Sequence, residues 1–354
     1  MGMEEKPYMP LPGQQGADIR VQLTPEVPVP RVKPPRKRRR WGLYLIGLVF
    51  LALLAVGIYV SYVAISVAKI STEPFDLSGL STDANGRTNI LVLGVGDPGH
   101  AGEKLSDTLM VISFDTRNHK VAQVSIPRDL RVDVPGFGES KINAANAEGG
   151  VKLAEQTVSN TLNIPINYYV KTNFSGLKKI VDSVGGLDIN VKERLYDPEY
   201  PCADDESKSC GIDIQPGQQH MDGAKVLEYV RCRKGTCGND FGRAERQQEV
   251  LNLIRDKVVH IDLLWHPDRL NAIVAAVREG VETDMGSVQM AQSVREWSLG
   301  QKNQPVKLVL STSDGGYLRD AAGSSDLIPI GGDFSAIQDK VKEIFTSPSP
   351  SPSP

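Results

Sequence analysis

One stretch of the sequence holds several arginines at spacings suited to binding an anion. Arg231 and Arg233 are two residues apart, and Gln247 follows Arg243 by four residues. If residues 231–233 are extended, both arginines point to the same side of the chain, while on a helix Arg243 and Gln247 share one face. Converging guanidinium groups repel one another unless an anion lies between them, and their paired N–H donors suit phosphate and pyrophosphate. The stretch predicts such a site, with a solvated, salt-bridged helix face as the alternative.

Two aspartates border apolar runs that have the composition of buried strands. Asp97 directly follows the run at residues 89–96, and Asp107 directly precedes the run at residues 108–114. If these strands are neighbours, both carboxylates lie at one edge of a sheet. Mg²⁺ is commonly held by one or two carboxylates together with phosphate oxygens of a substrate. The pair predicts a magnesium site, and the alternative is that both aspartates cap turns.

Two further cations fall where strands and loops meet. Arg128 follows the β-rich run at residues 120–127, and Lys141 opens a segment of small residues at 141–145. Binding residues are often placed at such loop entries. Each signal is weak alone, because an isolated Arg or Lys is usually solvated.

Other catalytic signatures do not occur in this sequence. It has no Gly-x-x-x-x-Gly-Lys-Ser/Thr loop and no Gly-x-Ser-x-Gly elbow, and its five histidines lack His-Glu-x-x-His spacing. These observations argue against a P-loop nucleotidase, an α/β-hydrolase and a zinc peptidase.

Apolar patterning predicts the elements that must position these residues. We expect strands at residues 89–96, 108–114, 120–127, 168–173, 187–191 and 306–311, and helices at 149–162, 174–184, 222–230, 242–259, 334–345 and twice between 266 and 299. Residues 115–119 are typical of a hairpin turn. Alternating strands and helices with an early hairpin predict an α/β fold, an α-β-α sandwich in which helices flank both faces of a mixed β-sheet.

The N-terminal region has the pattern of a membrane anchor. Residues 1–40 carry nine Lys/Arg and four Asp/Glu, and the cations at 36–40 are consecutive. Residues 41–67 contain no charge, a longer run than the roughly 20 residues that a helix needs to cross the hydrocarbon. We predict a disordered basic cytoplasmic segment at 1–40 and one transmembrane helix at 41–67, acting as a signal-anchor. A cleaved signal peptide is the alternative, but its apolar core is roughly 7–15 residues.

The remaining chain divides by composition into three parts. We predict a linker at residues 68–88, one extracytoplasmic domain at 89–345 and an extended Ser-Pro tail at 346–354. The protein is then a single-pass protein of the cell membrane, with the lipid bilayer as a partner and its N-terminus in the cytoplasm. The 354-residue chain has a net charge of −3, which argues against nucleic acid as a partner.

The order of these motifs resembles the LytR-CpsA-Psr family of bacterial cell-wall enzymes. The resemblance covers residues 88–260 strongly and 305–345 more loosely. It is carried by NILVLGVGD (89–97), SDT (106–108), SIPRD (125–129), KINAAN (141–146), DSVGGLDINV (182–191), QPGQQHMDGAKVLEYVR (215–231) and DFGRAERQQ (240–248).

The resemblance implies a phosphotransferase. Such an enzyme moves a glycopolymer from a polyprenyl-pyrophosphate carrier to a hydroxyl of peptidoglycan, and these two molecules are the implied partners. It implies that Asp97 and Asp107 hold Mg²⁺, or alternatively Mn²⁺. It further implies an anion clamp of Arg128, Lys141, Arg231, Arg233, Arg243 and Gln247. Among these residues, the catalytic ones are expected to be Asp97, Asp107, Arg128 and Arg243.

The sequence also departs from the family pattern. The family commonly has Arg before Ser106, where this chain has Leu105, and no arginine lies between Asp97 and Asp107. Two segments contain additional cysteines, at residues 202–210 and 232–237. The first departure leaves one phosphate contact without its usual residue.

The four cysteines form two close pairs, Cys202 with Cys210 and Cys232 with Cys237. Such pairs indicate disulfides outside the cytosol, or a four-thiolate metal site inside it. The predicted topology favours two disulfides within the close pairs, while cross-pairing between them stays open.

Two other functions compete with transfer. The altered Leu105 region is compatible with a protein that binds or hydrolyses polyprenyl pyrophosphate without transfer to peptidoglycan. A membrane-linked transcriptional attenuator, an older label of the family, would need a cytoplasmic DNA-binding unit. Residues 1–40 have no helical periodicity and are too short to fold into one.

Overall fold

The structure is a computed structural model that describes residues 79–99, 102–202, 208–238, 240–260, 267–300, 305–313 and 315–345. The predicted cytoplasmic segment at 1–40, the predicted anchor helix at 41–67, most of the predicted linker and the predicted tail at 346–354 lie outside these residues. Within the described ranges, no helix is both long enough and apolar enough to span a membrane.

The described chain forms fourteen strands and seven helices. The strands are β1 (Arg87–Val95), β2 (Ser106–Asp115), β3 (Lys120–Ile126), β4 (Arg131–Val134), β5 (Gly138–Lys141), β6 (Tyr168–Asn173), β7 (Leu187–Val191), β8 (Leu195–Asp197), β9 (Ile212–Ile214), β10 (Gly217–Met221), β11 (Val281–Thr283), β12 (Val306–Val309), β13 (Leu318–Asp320) and β14 (Leu327–Pro329). The helices are α1 (Ala144–Leu162), α2 (Phe174–Ser183), α3 (Gly223–Arg231), α4 (Asp240–His260), α5 (Pro267–Gly280), α6 (Ser287–Leu299) and α7 (Ser335–Glu343).

Six strands form the central sheet in the order β11-β6-β1-β2-β3-β12. Strands β1, β2 and β3 are joined antiparallel, whereas β6 runs parallel to β1 and β12 runs parallel to β3. The predicted hairpin between β2 and β3 is confirmed, with Asp115 paired to Lys120. The predicted mixed sheet is therefore confirmed.

Helices cover both faces of this sheet, which explains why its central strands are apolar almost throughout. Leu91 and Leu93 of β1 belong to a core beneath α1 and α7. Ile90 and Val92, which point to the opposite face, pack with side chains of α4 and α6. The predicted α-β-α sandwich is confirmed.

A second cluster of buried residues lies beside the sheet sandwich. It is formed by α2, α3 and α4 with the paired strands β7 and β10, and Leu187, Ile189 and Val226 are fully buried in it. Cys232 and Cys237 belong to this cluster. Cys202 is bonded to Cys210 and Cys232 to Cys237, the pairing within close neighbours that the sequence favours.

Helix α1 begins at Ala144, five residues before the predicted start, and contains a kink. Gly149 and Gly150 have non-helical backbone angles, and φ is +69° at Gly150. A side chain at φ > 0 is strained, whereas glycine adopts this region freely. The glycine pair thus separates a first turn, Ala144–Glu148, from the longer amphipathic part that the periodicity predicts.

Candidate active site

The central strands bring the predicted carboxylates to one edge of the sheet. Gly94 of β1 is paired with Thr108 of β2, so Asp97, which follows β1, and Asp107, the second residue of β2, lie at the same end of the sheet. A Cβ atom on Gly94 would lie 2.9 Å from the Thr108 side chain. Glycine at this position therefore leaves room for the Thr108 side chain at the point where the site begins.

A cavity of about 390 Å³ opens at this edge and extends between the sheet and helices α2, α3 and α4. Its charged and amide-bearing lining residues are Asp107, Arg128, Asn173, Asp197, Glu199, Arg231, Arg233, Lys234, Arg243 and Gln247. Its larger apolar lining residues are Val92, Val95, Leu105, Met110, Phe174, Leu177, Pro201, Leu227, Val230, Val250, Leu251 and Ile254.

Helix α4 shows how the two kinds of lining are arranged. Arg243 and Gln247 lie in its first two turns, and Val250, Leu251 and Ile254 continue the same helix face. From Arg243 to Ile254 this face spans about 16 Å, at 1.5 Å per residue. The cavity therefore has a cationic mouth and an apolar interior. The sequence alone could not assign that interior.

Arg128 reaches the mouth from the end of β3. Its Nη1 lies 2.6 Å from Oδ1 of Asp107, and its Nε lies 3.5 Å from Asp129. Both Arg128 and Asp107 are part-exposed and line the cavity. The structure thus brings together Arg128, a predicted catalytic residue, and Asp107, a predicted metal ligand.

Asp97 occupies a different position at the same sheet edge. Its carboxylate accepts hydrogen bonds from the backbone N–H and the hydroxyl of Ser175, at 2.9 and 2.7 Å. Ser175 lies in the first turn of α2, where an anionic side chain is favoured by the helix dipole. Asp97 is not among the residues that line the cavity.

The carboxylates fit the donor chemistry of Mg²⁺. The ion prefers oxygen ligands and binds through one or two carboxylates with substrate phosphates. Asp107 lines the cavity, and its Oδ1 accepts a hydrogen bond from Arg128. Asp97 presents its carboxylate at the adjacent strand end. That Asp97 and Asp107 hold a metal ion stays a prediction.

The predicted arginines of α3, α4 and the loop between them converge on the mouth. Arg231 ends α3, Arg233 follows it, and Arg243 and Gln247 project from α4; all four line the cavity. Arg243 is only 7% exposed. Converging guanidinium groups favour an anion between them, as the sequence predicts.

Arg246, one helical turn from Arg243, has a different environment. It is 8% exposed, and it donates hydrogen bonds to the carbonyl oxygens of Tyr229, Cys232 and Cys237. Burial lowers the pKa of its guanidinium, and the positive charge of Arg243 lowers it further. Arg246 thus ties α4 to the end of α3 and to the disulfide loop.

Lys141 lies away from the cavity lining. Its ammonium donates to Oδ1 of Asp129 at 2.7 Å and to the hydroxyl of Ser325 at 2.9 Å. A direct contact between Lys141 and substrate stays a prediction, and in this structure the ammonium instead faces the carboxylate next to Arg128.

Several lining residues escape the sequence analysis. Asp197 ends β8, Glu199 and Tyr200 follow it, and the ammonium of Lys234 pairs with Glu199. Lys234 directly follows the predicted clamp residue Arg233, and this adjacency could have identified it as a lining residue. Nothing in the sequence connects residues 197–200 with the arginines, because the contact is made only in the fold.

The arrangement suits an amphiphilic anion. Guanidinium groups at the mouth can bind phosphate oxygens in a bidentate manner, and the apolar interior can shelter a hydrocarbon chain. Fixed positive charge at the mouth also stabilises negative charge that develops on phosphorus and on a departing phosphate.

Comparison with known proteins agrees with this geometry. The sequence profile of the LytR_cpsA_psr family matches residues 56–323. The chain belongs to this family.

Two relatives illustrate the likeness. The chain is 34% identical over 264 residues to the polyisoprenyl-teichoic acid–peptidoglycan teichoic acid transferase TagV of Bacillus subtilis, covering 71% of this chain and 65% of that protein. It is 32% identical over 258 residues to the TagU transferase of Bacillus mycoides, covering 70% of this chain and 80% of that protein.

Solved structures share the fold. The crystal structure of Bacillus subtilis TagV superimposes with a TM-score of 0.58 at 25% identity, covering 75% of this chain and all of that chain. TagT, solved with bound octaprenyl pyrophosphate lipid, superimposes with a TM-score of 0.54 at 22% identity, covering 78% of this chain and 98% of that chain.

Proposed function

We propose that the protein is a membrane-anchored phosphotransferase that moves a glycopolymer from a polyprenyl-pyrophosphate carrier to peptidoglycan. The observation that carries the proposal is one cavity with an arginine-rich mouth and an apolar interior. The anionic pyrophosphate headgroup of the carrier is complementary to the arginine-rich mouth, and its prenyl chain is complementary to the apolar interior. The family membership and the transferase activity named for TagV and TagU favour transfer over binding or hydrolysis alone.

The clamp residues have separate roles in this proposal. Arg231, Arg233 and Arg243 bind the pyrophosphate oxygens, and Gln247 assists from the same helix face as Arg243. Arg128 exchanges its partner Asp107 for a phosphate oxygen. TagT with octaprenyl pyrophosphate bound gives a precedent for such a ligand in this fold.

The reaction replaces a phosphoanhydride bond by a phosphoester bond. The oxygen of a peptidoglycan hydroxyl attacks the phosphorus that carries the glycopolymer, and the bond from this phosphorus to the bridging oxygen of the pyrophosphate breaks. The electron pair of the broken bond goes to polyprenyl phosphate, the leaving group, and the proton of the hydroxyl is released to solvent. Arginine side chains stabilise the charge on both phosphates in the transition state.

Asp97 and Asp107 are the residues that would hold Mg²⁺, with Mn²⁺ as the alternative. The ion would neutralise phosphate charge and orient the phosphate oxygens. Asp107 would be its ligand on the cavity side, and Asp97 would be fixed by Ser175 at the start of α2.

The anchor belongs to the proposal as well. A single transmembrane helix at 41–67, with residues 36–40 on the cytoplasmic side, would place the domain outside the cell at the membrane surface. Polyprenyl carriers are membrane lipids, so this position gives the cavity access to its donor.

A product analysis tests the proposal. Full-length protein in detergent is incubated with a synthetic polyprenyl-pyrophosphate oligosaccharide, a peptidoglycan fragment and Mg²⁺, and the products are followed by mass spectrometry. We expect a phosphodiester-linked adduct and polyprenyl phosphate, both suppressed by EDTA and by Asp107→Ala. Polyprenyl phosphate without adduct would indicate hydrolysis. No lipid product from any donor would contradict the enzymatic function.

A further inference from the structure

We propose that Tyr200 and Phe174 are positioning residues that hold the guanidinium of Arg231 at the junction between the cationic mouth and the apolar interior. The inference rests on the proposed function, because it concerns the pyrophosphate clamp of the same cavity. It assigns a role to the segment of residues 196–202, whose cysteine-containing surroundings depart from the family pattern.

Both aromatic rings contact the same guanidinium. The Cζ atom of Arg231 lies 4.1 Å from the ring centroid of Phe174 and 5.6 Å from that of Tyr200. All three residues line the cavity. A guanidinium is attracted to the faces of aromatic rings that lie this close. The two rings thus restrict the position of Arg231 at the cavity.

Each ring is itself held in place. Phe174 is the first residue of α2, and the preceding Asn173 caps this helix by accepting a hydrogen bond from Gly176. Tyr200 is 8% exposed, and its carbonyl oxygen accepts hydrogen bonds from the backbone of Cys210 and Gly211. The Cys202–Cys210 disulfide closes the same loop.

The same segment fixes the residues that follow Arg231. Asp197, 3% exposed, accepts hydrogen bonds from the backbone N–H groups of Arg233 and Lys234, at 3.5 and 3.2 Å. The carbonyl of Tyr196 accepts a further bond from the backbone of Thr236. Segment 196–202 therefore contacts the clamp at the Arg231 side chain and at the backbone beyond it.

Binding of farnesyl pyrophosphate to the full-length protein in detergent tests the proposal by calorimetry. Loss of a desolvated cation–π contact predicts about three- to thirtyfold weaker binding for Tyr200→Leu and for Phe174→Leu. Tyr200→Phe, which restores the ring, recovers most of the lost affinity. Tyr196→Leu is the matched control: this ring also contacts an arginine, Arg194 at 5.1 Å, but it is 41% exposed and lies outside the cavity lining.

A double-mutant cycle distinguishes positioning from a general structural or lipid-contact role. Arg231→Met removes the charge and keeps an apolar stem. If Tyr200 acts through Arg231, adding Tyr200→Leu to Arg231→Met lowers affinity by less than twofold further. An undiminished loss in that background overturns the inference, as does wild-type affinity of both Tyr200→Leu and Phe174→Leu. Failure of the wild-type protein to bind farnesyl pyrophosphate would instead contradict the proposed function.

Discussion

At the scale of single residues, two buried arginines of helix α4, Arg243 and Arg246, have different surroundings. Arg246 directs its donors into three backbone carbonyls, so its charge is satisfied by the fold. Arg243 lines the cavity together with Arg231 and Arg233, where its guanidinium can contact a bound anion. Residue type and spacing alone do not separate these roles, because both arginines lie in the motif DFGRAERQQ.

Substitution of each arginine by alanine tests this difference. Arg246→Ala leaves three carbonyls without their donor and is expected to lower the free energy of unfolding by about 3 kcal/mol. Arg243→Ala removes a guanidinium that lines the cavity and is expected to lower the free energy of unfolding by less than Arg246→Ala does, while transfer falls about 10²- to 10³-fold. Denaturant unfolding and the transfer assay measure the two effects. Equal stability losses for both variants would refute the assignment.

Sequence reasoning at this scale found the arginines and aspartates but not all of their neighbours. Arg128, Arg231, Arg233, Arg243 and Gln247 were predicted and do line the cavity. Lys141 was predicted beside them, yet its ammonium faces Asp129. The long side chain of Lys141 can reach several partners. Which of them it contacts depends on the segment around Ser325, which is far away in sequence.

At the scale of elements, the disulfide loop between α3 and α4 is shaped by a close backbone contact. Gly235 has φ of +59°, and a Cβ atom there would overlap the carbonyl oxygen of Tyr196. Only glycine therefore allows the loop to lie against β8, where Asp197 holds the backbone of Arg233 and Lys234. The loop and the segment after β8 form one supporting unit for the clamp.

Two glycine substitutions in this loop test the contact. Gly238 has a similar φ of +78° but has no atom within 4 Å of its would-be Cβ. Gly238→Ala is expected to cost about 1–2 kcal/mol for the left-handed conformation alone. Gly235→Ala should cost about 3 kcal/mol, because the backbone must also shift, and it should weaken donor binding. Equal unfolding midpoints of the two variants would show that the contact with Tyr196 is unimportant.

The predictability of the elements follows from their length and patterning. Strands β6 and β7 were predicted with correct bounds, since each is an apolar or alternating run beside clear turn residues. The short pairs β4–β5 and β8–β9 were missed, because strands of three or four residues carry too little periodicity. The first turn of α1 was missed because Gly149 and Gly150 interrupt the helical pattern.

At the scale of the whole molecule, the apolar interior of the cavity is the feature that could not be assigned from the sequence. Its lining comes from β1, β2, α2, α3 and α4, between Val92 and Ile254. Each residue has the type and period of an ordinary core position, so the pattern predicts burial. Only the packing of sheet against helices leaves space between them, and this space gives the cationic mouth a hydrophobic continuation.

The central claim is that phosphorus passes from the lipid carrier to peptidoglycan without attack by water. Running the reaction in H₂¹⁸O with donor, Mg²⁺ and peptidoglycan fragment tests this claim most directly. We predict that the phosphodiester adduct and the released polyprenyl phosphate both lack ¹⁸O, because the attacking oxygen comes from the acceptor hydroxyl. Free glycopolymer phosphate or polyprenyl phosphate carrying ¹⁸O as the main product, with acceptor present, would show hydrolysis and contradict the proposed transfer.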